Sequence, residues 1–128
     1  MSTPFLSKSK YLTGIQCPKL LWHHYNAKDE LSPPDESTQA LFEQGHEVGE
    51  LAKKLFPDGI EVEWDQGFNE VIEESQRLLK ERKPLFEAGF KSNNTYARVD
   101  ILCPVENNAW DIIEVKSPCF SKGIPSII

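Results

Sequence analysis

Tyr96-Ala97-Arg98-Val99-Asp100-Ile101-Leu102 and Trp110-Asp111-Ile112-Ile113-Glu114-Val115-Lys116 are the two segments on which the reading of this chain turns. Side chains alternate across a strand, so the first segment sets Tyr96, Arg98 and Asp100 on one face and Ala97, Val99 and Ile101 on the other. In the second, Trp110, Ile112, Glu114 and Lys116 share a face, opposite Asp111, Ile113 and Val115. Between them, Pro104-Val105-Glu106-Asn107-Asn108-Ala109 contains an Asn pair suited to the left-handed backbone of a tight connection, which predicts an antiparallel hairpin. Such a hairpin brings Asp100 toward Glu114, with Lys116 on the same face.

Two neighbouring carboxylates raise each other's pKa unless a divalent cation between them keeps both ionised. Oxygen donors suit Mg²⁺ or Mn²⁺, which retain water positions for a nucleophile and a phosphate oxygen. Two acids and a lysine in this order therefore outline a metal-dependent phosphodiesterase site, with Lys116 orienting the water or offsetting phosphate charge. An acid-x-lysine pair on an exposed sheet face is also what ordinary solvated surface looks like. Glu114, however, directly follows Ile112-Ile113, in a run apolar enough for a strand buried on both faces, where an acid needs a partner or a metal.

Composition bounds the setting. The chain has 128 residues, 39% of them hydrophobic and 27% charged, which fits one soluble domain with a core of its own. It shows neither a long apolar run nor a basic-then-apolar leader, so a cytoplasmic protein without a membrane partner is expected. Cys17, Cys103 and Cys119 are odd in number and widely spaced, which argues against a disulfide framework. The formal charge of -6 argues against a general polyanion binder, yet residues 1–28 hold Lys8, Lys10, Lys19 and Lys28 and no acid.

Along the chain, helices come first and strands second. Residues 7–25 read as helix with a break at Pro18, and residues 26–37 as a polar, proline-containing loop. From 41 to 56, Leu41, Gly45, Val48, Ala52 and Leu55 recur at helical spacing. Gly45 and Gly49 cost about 1 kcal/mol each in a helix interior and so suggest close approach of a backbone or ligand. His46 falls at the edge of that stripe and, on its own, reads as a core-edge histidine bonded to backbone. Pro57-Asp58-Gly59 is a turn, and residues 60–64 alternate as a short edge strand. Phe68, Val71, Ile72, Ser75, Leu78, Leu79 and Arg82 mark a further helix ending before Pro84. Residues 85–90 open a three-stranded meander, with Glu87 inside its first strand as a solvent-facing acid. Adjacent His23 and His24 point about 100° apart on a helix and make a poor joint metal site. Trp22 and Tyr25 read as packing groups.

Leu6-Ser7-Lys8-Ser9-Lys10-Tyr11, Cys17-Pro18-Lys19-Leu20-Leu21-Trp22, Gly45-His46, Phe86-Glu87-Ala88, Ala97-Arg98-Val99-Asp100 and Glu114-Val115-Lys116, in that order, resemble a RecB-like nuclease of the PD-(D/E)XK superfamily. The likeness is to the CRISPR-associated exonuclease branch and its uncharacterised bacterial relatives, and covers residues 6 to 116. It implies His46, Asp100 and Glu114 as metal ligands, with the Val115 carbonyl, and Asp100, Glu114 and Lys116 as the catalytic set. Glu87 matches a strand position beside the site, and Cys17 the first ligand of a four-cysteine iron–sulfur cluster. The family's glutamine-x-x-x-tyrosine helix and its three further cysteines have no counterpart after Lys116. The chain therefore reads as C-terminally truncated, and no cluster is expected on Cys17 alone.

The expectation is an α/β (α+β) fold of N-terminal helices followed by a three-stranded mixed or antiparallel sheet, a partial PD-(D/E)XK core in one domain. Residues 1–36 form an arm and loop, 37–116 the helices and sheet, and 117–128 an atypical tail. The expected function is Mg²⁺- or Mn²⁺-dependent hydrolysis of single- or double-stranded DNA. The alternative is an inactive remnant that binds nucleic acid or protein, with an open sheet edge inviting a second copy.

Overall fold

Two cap residues and two prolines divide the helical part of the chain. The computed structural model describes residues 4–117. Ser7 accepts the Lys10 amide at 3.2 Å and starts α1 (Lys8–Gln16). The expected break follows: α2 (Pro18–Asn26) begins at the proline, where a missing N–H leaves no bond unmade. Asp35 accepts the Thr38 amide at 2.8 Å and caps α3 (Glu36–Lys53). The hydrogen bonds from Thr38, helped by Ser37, hold the Asp35 carboxyl below its usual range. Residues Val71, Ile72, Ser75 and Leu78 lie on one side of α4 (Phe68–Leu78) and are buried. A single 3₁₀ turn then leads to Arg82, left-handed at φ 51°, ahead of Pro84. Among the described residues, no helix is long and apolar enough to cross a membrane.

The expected meander is present as β3 (Leu85–Ser92), β4 (Thr95–Pro104) and β5 (Trp110–Ile113), both pairings antiparallel. Left-handed Asn93 turns the first hairpin, and left-handed Asn107 and Asn108 turn the second. The sheet has five strands rather than three, and it is mixed. β1 (Leu6–Ser7) runs parallel to the start of β4, and β2 (Ile60–Glu61) runs parallel to β3. Two-residue strands carry no alternation of their own. They are held by backbone bonds such as Leu6 N–H to the Asn94 carbonyl at 2.7 Å and Ile60 N–H to the Pro84 carbonyl at 2.8 Å.

Helix α4 packs on β3 to make the core, with Val62, Val71, Leu78, Leu85, Ala88 and Leu102 essentially removed from solvent. Ser75 is buried within it and fully used: its hydroxyl donates to the Val71 carbonyl at 2.7 Å and accepts the Gly89 amide at 2.9 Å. The approach is close enough that a Cβ on Gly89 would lie 2.9 Å from Trp64 and 3.0 Å from Val71. Past the C-terminal end of α4, the Arg82 guanidinium lies 4.6 Å from the centre of the Trp110 ring and donates to the Val105 carbonyl at 2.6 Å.

Helix α3 departs from expectation. None of its residues is buried: Leu41, Phe42 and Leu51 are between 57% and 60% exposed, and Leu55, just past its end, is 77% exposed. A Cβ at Gly45 or Gly49 would meet nothing within 4 Å, so neither glycine serves a close approach among the described residues. Periodicity records that one face of a helix is apolar; it carries no information on which surface covers that face. The expectation that Trp22 and Tyr25 are packing groups is corrected in the same way: Trp22 is 56% exposed, and Tyr25, 39% exposed, uses its hydroxyl to bond the Phe5 carbonyl at 2.8 Å.

The two kinds of glycine predict opposite responses to one methyl group. Gly89→Ala destabilises the protein by about 1–3 kcal/mol through overpacking, whereas Gly45→Ala stabilises α3 by up to about 1 kcal/mol. Urea denaturation of both variants beside the parent chain reads the two signs.

Candidate functional site

Strand β4 offers one edge to two partners. β1 pairs with Thr95 and Tyr96, β5 pairs from Ile101 to Pro104, and residues 97–100 lie in the gap between them. The last ladder pair is Ile101 with Ile113, so one step further the register sets Asp100 opposite Glu114, as the hairpin reading expects. The Asp100 carboxylate accepts the Val115 amide at 2.8 Å, which ties the chain after β5 to β4. Asp100 and Glu114 line one cleft of about 500 Å³, whose other walls include Ser7, Lys8, Trp64, Tyr96 and Arg98.

Two lysines converge on Glu114. Lys8, the first residue of α1, places its Nζ on Glu114 Oε1 as a donor, and Lys116 Nζ stands 3.9 Å from the same oxygen. The Lys8 hydrogen bond, with the charges of Lys8 and Lys116, holds Glu114 below the usual carboxylate range against an opposing pull from partial burial. Arg98 Nε donates to Glu87 Oε2 at 2.5 Å, and its guanidinium lies 4.9 Å from the centre of the Trp64 ring.

Glu87 is more than the solvent-facing acid its strand position suggests. It sits opposite Asp100 in the β3–β4 register, between the pairs Phe86 with Ile101 and Ala88 with Val99, and its backbone is left-handed at φ 62°. A non-glycine residue in that region within a strand carries strain of about 1–3 kcal/mol and persists only where its surroundings impose it. Here the Trp64 indole donates to the Glu87 carbonyl at 2.7 Å, and Arg98 holds the carboxylate. Trp64 is in turn held by an aromatic cluster: Phe5, Phe68 and Tyr96 meet with ring centres 5.2 to 6.3 Å apart, and Trp64 lies 6.4 Å from both Phe68 and Tyr96.

The structure brings Asp100, Glu114, Val115 and Lys116 together and sets Glu87 on the neighbouring strand. His46 stands apart, exposed on α3 in a shallow hollow lined by that helix's own Gln39, Phe42, Glu43 and Glu47. Among the described residues no three His, Cys, Asp or Glu side chains come together as a metal-holding group. Two opposed carboxylates in an open cleft still fit a hard cation of the Mg²⁺ kind, which takes one or two carboxylates and completes its shell with water. The ammonium on Glu114 is itself a cation in that position. Cys17, between α1 and α2, and Cys103, in β4, are free and partly buried, and Cys119 lies outside the described residues.

No family model, curated protein or solved structure matches this chain. The sequence set Lys8 apart only as one of four lysines in the acid-free stretch 1–28, and assigned Arg98 no role of its own. A Ser-Lys-Ser-Lys start to a helix without an acid in its first turn was the available signal for Lys8. For Arg98 it was alternation with Asp100.

Asp100→Ala removes the acceptor of the Val115 amide. A hydrogen bond to a charged group contributes about 1.5–3 kcal/mol, so exchange of the Val115 amide, followed by NMR, accelerates by at least tenfold. The Gly89 amide, in the core, keeps its rate.

Proposed function

We propose that this chain is a metal-dependent nuclease of RecB-like type, acting on DNA in the cytoplasm. The observation that carries the reading is the juxtaposition of Asp100 and Glu114, across β4 and the end of β5, in one water-accessible cleft, with Lys116 Nζ 3.9 Å from Glu114. Asp100 and Glu114 would hold Mg²⁺ or Mn²⁺, with the carbonyl of Val115, the residue after Glu114, as a further donor. When bound, such an ion supplies Lewis-acid polarisation of a phosphate oxygen and lowers the pKa of a coordinated water. The residues supply the rest. Asp100 is oriented by the Val115 amide, Glu114 is kept ionised by the lysines, and Lys116 Nζ is placed to steady a water or an anionic oxygen near Glu114.

The placement of His46 outside the cleft favours a second reading, a module that binds nucleic acid or protein without hydrolysing it. In that case β5, paired only with β4 among the described residues, offers its outer edge to a second copy.

The test is cleavage of labelled single- and double-stranded DNA in Mg²⁺ or Mn²⁺, with a chelator control. Under the nuclease reading the chelator abolishes cleavage, and Asp100→Ala, Glu114→Ala and Lys116→Ala each reduce it by at least about 100-fold. Cleavage indifferent to all three removes the nuclease reading. Absence of cleavage, with Mn²⁺ binding that is lost in Glu114→Ala, selects the second.

A further inference from the structure

We propose that Lys8 is a two-position residue of this cleft: it occupies the cation position on Glu114 until a divalent ion takes that carboxylate, and then serves as a ligand for a phosphodiester oxygen. The inference rests on the assignment of Asp100 and Glu114 as metal ligands and adds a residue from the opposite end of the chain. Lys8 and Glu114 are 106 positions apart, and the contact exists because β1 lies along the same edge of β4 as β5. Ser7 both pairs with Tyr96 and caps α1, so the backbone of Lys8 is fixed beside the gap in that edge.

The pair is built to part. Both side chains are about half exposed, at 52% and 43%. Exposed ion pairs are weak, whereas a divalent cation facing two carboxylates carries twice the charge and two anionic partners. A divalent ion on that carboxylate repels an ammonium held at the same oxygen, so binding of the ion drives the lysine off it. Displacement leaves the ammonium in the cleft, on a flexible four-carbon stem. Arg98 is already committed to Glu87 and Trp64, and the first turn of α1 contains no acid. The displaced ammonium therefore has no carboxylate waiting on its own helix turn, and with Asp100 also taken by the ion, an anionic oxygen of a bound strand is left as the matching partner.

Two measurements on the full chain test both positions. Mn²⁺ binding, followed by electron paramagnetic resonance, is expected to tighten about threefold to fivefold in Lys8→Gln, because the competing ion pair is gone. Binding of a fluorescent single-stranded oligonucleotide in Ca²⁺ is expected to weaken in the same variant. Its logarithmic salt dependence should become shallower by about 0.7, the value of one phosphate contact on a single strand. Lys8→Arg should restore the oligonucleotide affinity, and an unchanged urea midpoint establishes that the variants are folded. Unchanged or weaker Mn²⁺ binding in Lys8→Gln overturns the competition, and an unchanged salt slope overturns the phosphate contact. If Glu114→Gln and Asp100→Asn bind Mn²⁺ as the parent chain does, the metal assignment itself fails, a result distinct from failure at Lys8 alone.

Discussion

Everything at the cleft depends on the unequal sharing of β4. Its edge toward β3 is paired along nearly the whole strand, while its other edge is taken by β1 at the start and β5 at the end. A strand edge presents unpaired N–H and C=O groups that need partners or water. In the interval at residues 97–100 that requirement opens a space instead of closing a ladder. The pleat turns Arg98 and Asp100 to one side of the interval, and the continued register delivers Glu114 to the same place. The acids are neighbours because of hydrogen bonds made elsewhere, at Ile101 with Ile113 and at Leu102 with Ile112.

The opposite wall is held by packing rather than by pairing. Buried Ser75 pins the Gly89 amide, which draws β3 against α4 and leaves Trp64 close over the glycine. Trp64 fixes the Glu87 carbonyl and faces Arg98, so the left-handed Glu87 is over-determined from both sides. The aromatic rings of Phe5, Phe68 and Tyr96 carry the same order to the N-terminal segment, and Tyr25 secures Phe5 through its carbonyl. Rigid support thus reaches the cleft from α4, while the charged groups within it remain exposed enough to exchange partners.

Much of this was legible in residue order. Alternation identified the strand over residues 96–102 and the first half of the run 110–116, but the second strand ends at Ile113, before Glu114. Among the described residues it is an edge, with Ile112 74% exposed, rather than a strand buried on both faces, because apolar content does not say what covers a face. The Asn107–Asn108 pair marked its turn for a local reason, since asparagine tolerates the left-handed backbone found there. Pro18, the Pro57-Asp58-Gly59 turn and Pro84 punctuated the helices. What eluded the reading depends on topology. Lys8 meets Glu114 only through parallel pairing of a two-residue strand that has no pattern to detect. The stripe on α3 announced an apolar face without naming its cover, and His46 was joined to the acids by resemblance, whereas the fold leaves it on that exposed helix.

Beyond the helix caps, the Gly89 and Val115 amides are each received by a side-chain oxygen, and they separate a local part of the fold from a long-range one. Gly89 meets Ser75 across 14 residues, inside the α4–β3 unit, where the contacts are local and buried. Val115 meets Asp100 across 15, but the cleft around it also needs Lys8, 106 residues away from Glu114. Local packing is gained early in folding and long-range closure is gained late, and elements with few buried contacts are the first to open from the native state. The contacts around Ser75 and Gly89 are therefore expected to outlast those of Lys8, Glu114 and Val115 when the native state opens locally.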